Sequence, residues 1–158
     1  MTRAAFSPTE TICVNCGAPL DSQHFDESGF APAPGAGDRV ILARFALPPQ
    51  YCGVLEYFSQ FTDAFARDAS AVETPQLEWL IAVNGRPLYP YVGFTWILNP
   101  WGFGSFPVNI RLEEGATLEF AVRGRTASGG PCITRVGARI LGRYWYNPVY
   151  GDPVRKRF

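Results

Sequence analysis

Two cysteines two residues apart, in Cys13-Val-Asn-Cys16-Gly17-Ala-Pro-Leu20, are the first residues of this chain whose types and spacing could do chemistry. Thiolates so placed on a turn closed by glycine aim both sulfurs at one tetrahedral centre, which is half of a structural zinc site. A second C-x-x-C is missing, so His24, Cys52 and Cys132, or another chain, would have to complete it. Thiols without a metal are the preferred reading, because the second pair normally supplies the specificity. A redox role is disfavoured, since the motif does not follow a strand in a βαβ pattern. Beyond a candidate zinc at Cys13 and Cys16, no cofactor is expected.

Acid–base chemistry has little to work with. His24 is the single histidine, and triads, metal hydrolases and most acid–base sites near neutral pH rely on that side chain. The spellings G-x-S-x-G, G-x-x-x-x-G-K-[ST] and G-x-G-x-x-G are absent, Gly102-Phe-Gly104 lacking its third glycine. Glu56, Asp63, Glu78, Glu113, Glu114 and Glu119 could pair as in a glycosidase, but Glu113-Glu114 reads more simply as a solvated hairpin tip. No catalytic residue is assigned, and a non-enzymatic role is expected.

Binding residues are better represented. Tyr89, Tyr91, Phe94, Trp96, Trp101, Phe103 and Phe106 crowd into one stretch, and aromatic faces on loops stack on sugar rings or anchor protein partners. Trp96 reads as a core residue of a strand. Trp101 and Phe103, in a Gly/Pro-rich loop, read as interface residues. Arg155-Lys156-Arg157 ends the chain. Arg155 and Arg157 could touch an acidic neighbour, though three charges give only modest, salt-sensitive affinity.

The elements that must position these residues follow from composition and pattern. The chain has 158 residues, 47% hydrophobic and 15% aromatic, which excludes disorder throughout and suits one domain. Sixteen glycines and 14 prolines leave few windows for a long helix, so a β-rich fold is expected. The 14 basic residues cancel the 14 acidic ones, which argues against nucleic-acid binding by the whole surface. Neither a secretory signal nor a membrane span is legible, so a cytoplasm-like compartment with reduced thiols is expected. Lys156 is the only lysine, a skew toward arginine that favours fixed contacts or simply reflects codon usage.

Residues 1–38 carry Pro8, Pro19, Pro32 and Pro34 and no period, and read as an extended N-terminal arm. Phe6, Ile12 and Phe30 would pin that arm to a neighbouring surface. From residue 39 to 150 short strands follow one another. Val40–Leu47 reads as a buried strand. Residues 51–65 fit either a helix, with Val54, Tyr57, Phe58, Phe61 and Phe65, or a strand, with Leu55, Tyr57, Ser59 and Phe61; the aromatic content tips the choice to strand. Asn84-Gly85 marks a hairpin after Leu77–Val83. Phe94–Leu98 and Val108–Leu112 follow as strands. Thr117–Arg123 has Leu118, Phe120 and Val122 on one face, and Val136–Tyr146 sets Ala138, Ile140 and Gly142 opposite Arg139, Leu141 and Arg143. The sum is an all-β, antiparallel β-sandwich, with residues 151–158 as a basic tail.

The succession Leu77-Glu-Trp-Leu-Ile-Ala-Val-Asn-Gly85, then Phe106-Pro-Val-Asn-Ile-Arg-Leu-Glu-Glu-Gly115, then Val136-Gly-Ala-Arg-Ile-Leu-Gly-Arg-Tyr144 resembles the small jelly-roll structural proteins of tailed bacteriophage virions. The likeness covers residues 77–146 and is one of pattern. It implies a virion component assembled in the host cytoplasm, in many copies or as a homo-oligomer, with capsid, portal or collar proteins as partners. The Cys13–Cys16 motif is not a feature of that group. The alternative is a carbohydrate-binding β-sandwich module using the loop aromatics.

Overall fold

The computed structural model describes residues 19, 22–63, 73–97, 105–130 and 132–146. Among them every regular element is a strand: β1 (Gln23–Pro32), β2 (Arg39–Ala46), β3 (Tyr51–Thr62), β4 (Leu77–Val83), β5 (Arg86–Phe94), β6 (Phe106–Leu112), β7 (Thr117–Gly124) and β8 (Arg135–Tyr146). They form two four-stranded antiparallel sheets, ordered β1-β8-β3-β6 and β2-β7-β4-β5. Consecutive strands therefore alternate between layers except at the β4–β5 hairpin, which is the wiring of a jelly roll.

Local sequence explains most of these strands. Asn84 and Gly85 both take positive φ, 53° and 74°, so the two-residue loop twists with the strands it joins, and Val83 pairs with Arg86. In β7, Leu118, Phe120 and Val122 are fully buried, as their alternation predicts, and in β8 Ala138, Ile140 and Gly142 face inward. The interior joins these to Leu55, Phe58, Leu77, Trp79, Ile81 and Leu112 in one cluster between the layers. Phe58 lies at its centre, with ring centroids of Tyr91, Phe94, Phe106 and Phe120 at 5.7, 6.4, 5.3 and 5.3 Å. A second aromatic series, Phe25 stacked on Phe45 at 4.1 Å and continuing to Tyr144 and Tyr51, joins the layers elsewhere. Among the described residues Trp79 is the buried indole, and its N–H is satisfied: Trp79 Nε1 donates to Thr74 Oγ1, which donates to the Thr95 carbonyl.

Three expectations need correction. Residues 23–38, read as part of the arm, belong to the sandwich: β1 pairs with β8 from Gln23–Tyr144 to Pro32–Arg135, and the amides of Ala33 and Gly37 donate to Thr134 and Gly124. As an edge strand, β1 sends only Phe25 fully into the core, so no apolar alternation announces it. Residues 1–18, by contrast, lie outside the described residues, as do 147–158. Next, Phe94–Leu98 is not a separate strand over its described residues, 94–97; the return strand of the hairpin runs to Phe94, and Trp96 makes a single bridge with Glu73 and stands half-exposed. Finally, residues 51–62 form a strand, but the set Leu55, Tyr57, Ser59 and Phe61 does not share a face. A β-bulge at Glu56, where the pairing jumps from Leu55 to Tyr57, reverses the parity: Leu55 and Phe58 point inward while Tyr57 and Phe61 point out.

Candidate functional site

Of the residues singled out above, Phe6, Ile12, Cys13, Cys16, Trp101, Phe103, Arg155 and Arg157 lie outside the described residues. Among the described residues no group of three or more His, Cys, Asp or Glu side chains comes together to hold a metal ion. Cys52 is buried, Cys132 is exposed and His24 stands exposed on β1. Of the residues assigned to an interface, Phe30 lies among the described residues, and its surroundings define the first of two surfaces.

Phe30 projects from the outer face of the β1-β8-β3-β6 sheet. Register arranges that face in rows across three strands: Phe30, Gly137 and Phe61; then Ser28, Arg139 and Ser59; then Asp26, Leu141 and Tyr57. Phe30 and Phe61 meet edge to face with centroids 5.4 Å apart, and remain 58% and 39% exposed. Gly137 makes this possible, because a Cβ there would stand 2.5 Å from the Phe30 ring. The Arg135 guanidinium lies 4.9 Å from the Phe30 centroid and holds the ring by a cation–π contact. Beside the ring pair opens a groove of about 320 Å³, lined by Ser28, Ser59 and Arg139 as well as both phenyl rings. Arg139 is bound to Asp26 by two hydrogen bonds, Nε to Oδ1 at 2.7 Å and Nη2 to Oδ2 at 2.5 Å. That pairing holds the Asp26 carboxyl below the usual carboxylate range and raises Arg139, so both stay charged and their sum is neutral.

The second surface is the outer face of the other sheet. Ile41 pairs with Ala121, Ala121 with Leu80, and Leu80 with Val92, so one aliphatic row crosses all four strands. Ile41 and Val92, at its ends, are 46% and 44% exposed. Charge flanks the row: Glu119 binds Arg39 at 3.3 Å and Arg44 at 3.7 Å. The bulge at Leu42 creates this face, since the extra residue turns Ile41 outward while Leu42 and Ala43 stay in the core. A wholly apolar run such as Val40-Ile-Leu-Ala carries no signal from which such a split could be read.

Of the carboxylates considered for catalysis, Glu56, Asp63, Glu114 and Glu119 make hydrogen bonds or ion pairs within the sandwich. Glu56, the bulge residue, accepts two bonds from Arg143 Nε at 3.0 and 3.1 Å and one from Nη2 at 2.6 Å. Asp63 follows β3 directly and clasps the start of β8, accepting from the amides of Thr134 at 2.9 Å and Arg135 at 3.0 Å and from the Thr134 hydroxyl. These donors lower its pKa to about 2. Glu114 caps the Gln50 amide at 3.0 Å.

No known family model matches the chain, and a search of curated proteins returns no match.

Proposed function

We propose that this chain is a non-enzymatic structural subunit of a tailed-phage virion that binds neighbouring capsid, portal or collar subunits. The observation that carries the reading is the row Ile41, Ala121, Leu80 and Val92 on the outer face of a jelly-roll sheet. Leu80 and Ala121 in the middle of the row are buried within the chain, so what a protein partner would cover is its exposed ends, Ile41 and Val92, with Glu119, Arg39 and Arg44 as a charged margin. The jelly roll itself is used in viral shells and elsewhere, so it supports the reading without specifying it. The motif resemblance over residues 77–146 points the same way.

Replacing both ends of the row, Ile41→Glu with Val92→Glu, tests it. Both side chains are well exposed, so the variant is expected to fold as the parent does, by circular dichroism and melting temperature. It is expected to be lost from particles purified from the host. Incorporation at the parent level would overturn the reading. An N-terminal truncation that removes residues 1–18 gives the matching test of Phe6 and Ile12, because it leaves β1 in place, whereas removal of residues 1–38 would strip an entire strand from the first sheet.

A further inference from the structure

We infer that the outer face of the β1-β8-β3-β6 sheet is a saccharide-binding surface, centred on Phe61 and the Ser28, Arg139, Ser59 row. The two outer faces of this protein differ in chemistry, and the difference selects the ligand. The β2-β7-β4-β5 face offers an aliphatic row with ion pairs beside it. The β1-β8-β3-β6 face offers phenyl rings beside hydroxyls and a guanidinium whose charge is already balanced by Asp26. A sugar ring has one apolar C–H face and a rim of hydroxyls. It needs a ring to lie on and neutral or charge-balanced donors and acceptors at the edge, which fix its orientation.

The geometry supplies both. Arg135 lies over Phe30 and locks it against Gly137, which leaves Phe61 as the platform and Phe30 as the wall. Ser28 and Ser59 stand on either side of Arg139 in the adjoining row, so hydroxyls flank the groove across β1 and β3. A fixed Arg139 offers its remaining N–H donors without the cost of ordering a free side chain. The groove, at about 320 Å³, is at the small end of ligand sites. Tyr57 lies on the same face of β3 as Phe61, four residues and therefore about 13 Å away, which extends the aromatic track beyond one sugar ring. A short oligosaccharide is the ligand class that fits. An anionic ligand is disfavoured because Arg139 already has its carboxylate.

This inference does not rest on the virion reading; either can fail without the other. The test is a ¹⁵N–¹H correlation titration of the full chain with cellotriose, maltotriose, mannotriose and the trimer of N-acetylglucosamine, each up to about 10 mM, where weak binding still saturates. At least one trisaccharide is expected to give saturable shifts at residues 28–30, 59–61 and 137–139. Phe61→Ala is expected to weaken it about tenfold or more, Phe61→Tyr to retain it, and Tyr89→Ala, which removes an exposed aromatic elsewhere, to leave it unchanged. If Phe61→Ala does not fold, Ser59→Val, which keeps the strand and removes the hydroxyl, carries the same expectation of weaker binding. Absence of saturable shifts with all four sugars, shifts centred on another surface, or unchanged affinity in folded Phe61→Ala or Ser59→Val would each overturn the inference. So would saturable binding of a proline-rich peptide in this groove with no sugar bound.

Discussion

Replacing Phe58 by alanine should be among the most damaging single changes this fold can suffer, and the size of the effect follows from its position. Phe58 leaves the first sheet inward with no exposed surface and touches rings from β5, β6 and β7, so it ties both layers together. Truncating a buried phenylalanine costs about 3–5 kcal/mol in lost transfer energy and cavity. Four ring contacts, two of them at 5.3 Å, add geometric terms of about 0.5–1.5 kcal/mol each and place Phe58→Ala at the upper end. Against a total stability of about 5–15 kcal/mol this is a large fraction, and at about 2–4 °C per kcal/mol the melting temperature should fall by about 10–20 °C. Phe61→Ala, three residues away on the outer face, loses one edge contact and should cost less than about 1 kcal/mol. Urea unfolding followed by tryptophan fluorescence reads both, with Trp79, 5.9 Å from the Phe120 centroid, reporting on the core. A cost below about 2 kcal/mol for Phe58→Ala, or one equal to that of Phe61→Ala, would refute the parity assigned to β3 beyond its bulge.

Two further perturbations test the sheet that carries the groove. The Asp63 carboxyl titrates at about 2 in the folded chain against an ordinary 3.8, so its stabilising contribution is complete above about pH 4 and disappears as the pH falls through about 2. Asp63→Asn is therefore expected to flatten the fall in melting temperature between those limits, leaving a residual slope from groups such as Asp26; an unaltered slope would show that the clasp on Thr134 and Arg135 contributes nothing. Gly142 sits inward opposite Phe25, and a Cβ there would run into the Val54 carbonyl oxygen and come within 2.6 Å of the Phe25 ring. Because both obstacles are backbone or packed core, Gly142→Ala should destabilise by about 1–3 kcal/mol or more in chemical denaturation, and a neutral result would count against the close approach of β3 and β8.

The strands that could be read in the sequence are those whose neighbours on both faces are settled by local pattern. β7 and β8 have clear inward and outward sets, and the Asn84-Gly85 turn demands positive φ at both of its residues. β1 was illegible because its pairing energy comes from the backbone of a strand more than a hundred residues later, Asp26 and Arg139 lying 113 positions apart. β3 misled at one point, since a bulge inserts a residue without a sequence mark and turns every later side chain over. Trp96 misled in another way: an apolar run suggests burial, but a single bridge to Glu73 does not enclose the ring. The loop aromatics Trp101 and Phe103 lie outside the described residues; among the described residues, Phe30 and Phe61 are exposed rings that meet, from strands that no local signal connects.

By itself, then, the sequence determined the class of the fold, the β4–β5 hairpin and the inward faces of its best-patterned strands, because alternation with a period of two and turn chemistry act over a few residues. Only the tertiary structure decided which strands are neighbours, where the parity reverses and which side chains share a row on an outer face. Those depend on register between distant segments, and a shift of one residue would exchange every inward side chain for an outward one. The two surfaces on which function is proposed are products of that register: the row from Ile41 to Val92 needs four strands aligned, and the groove beside Phe61 needs three.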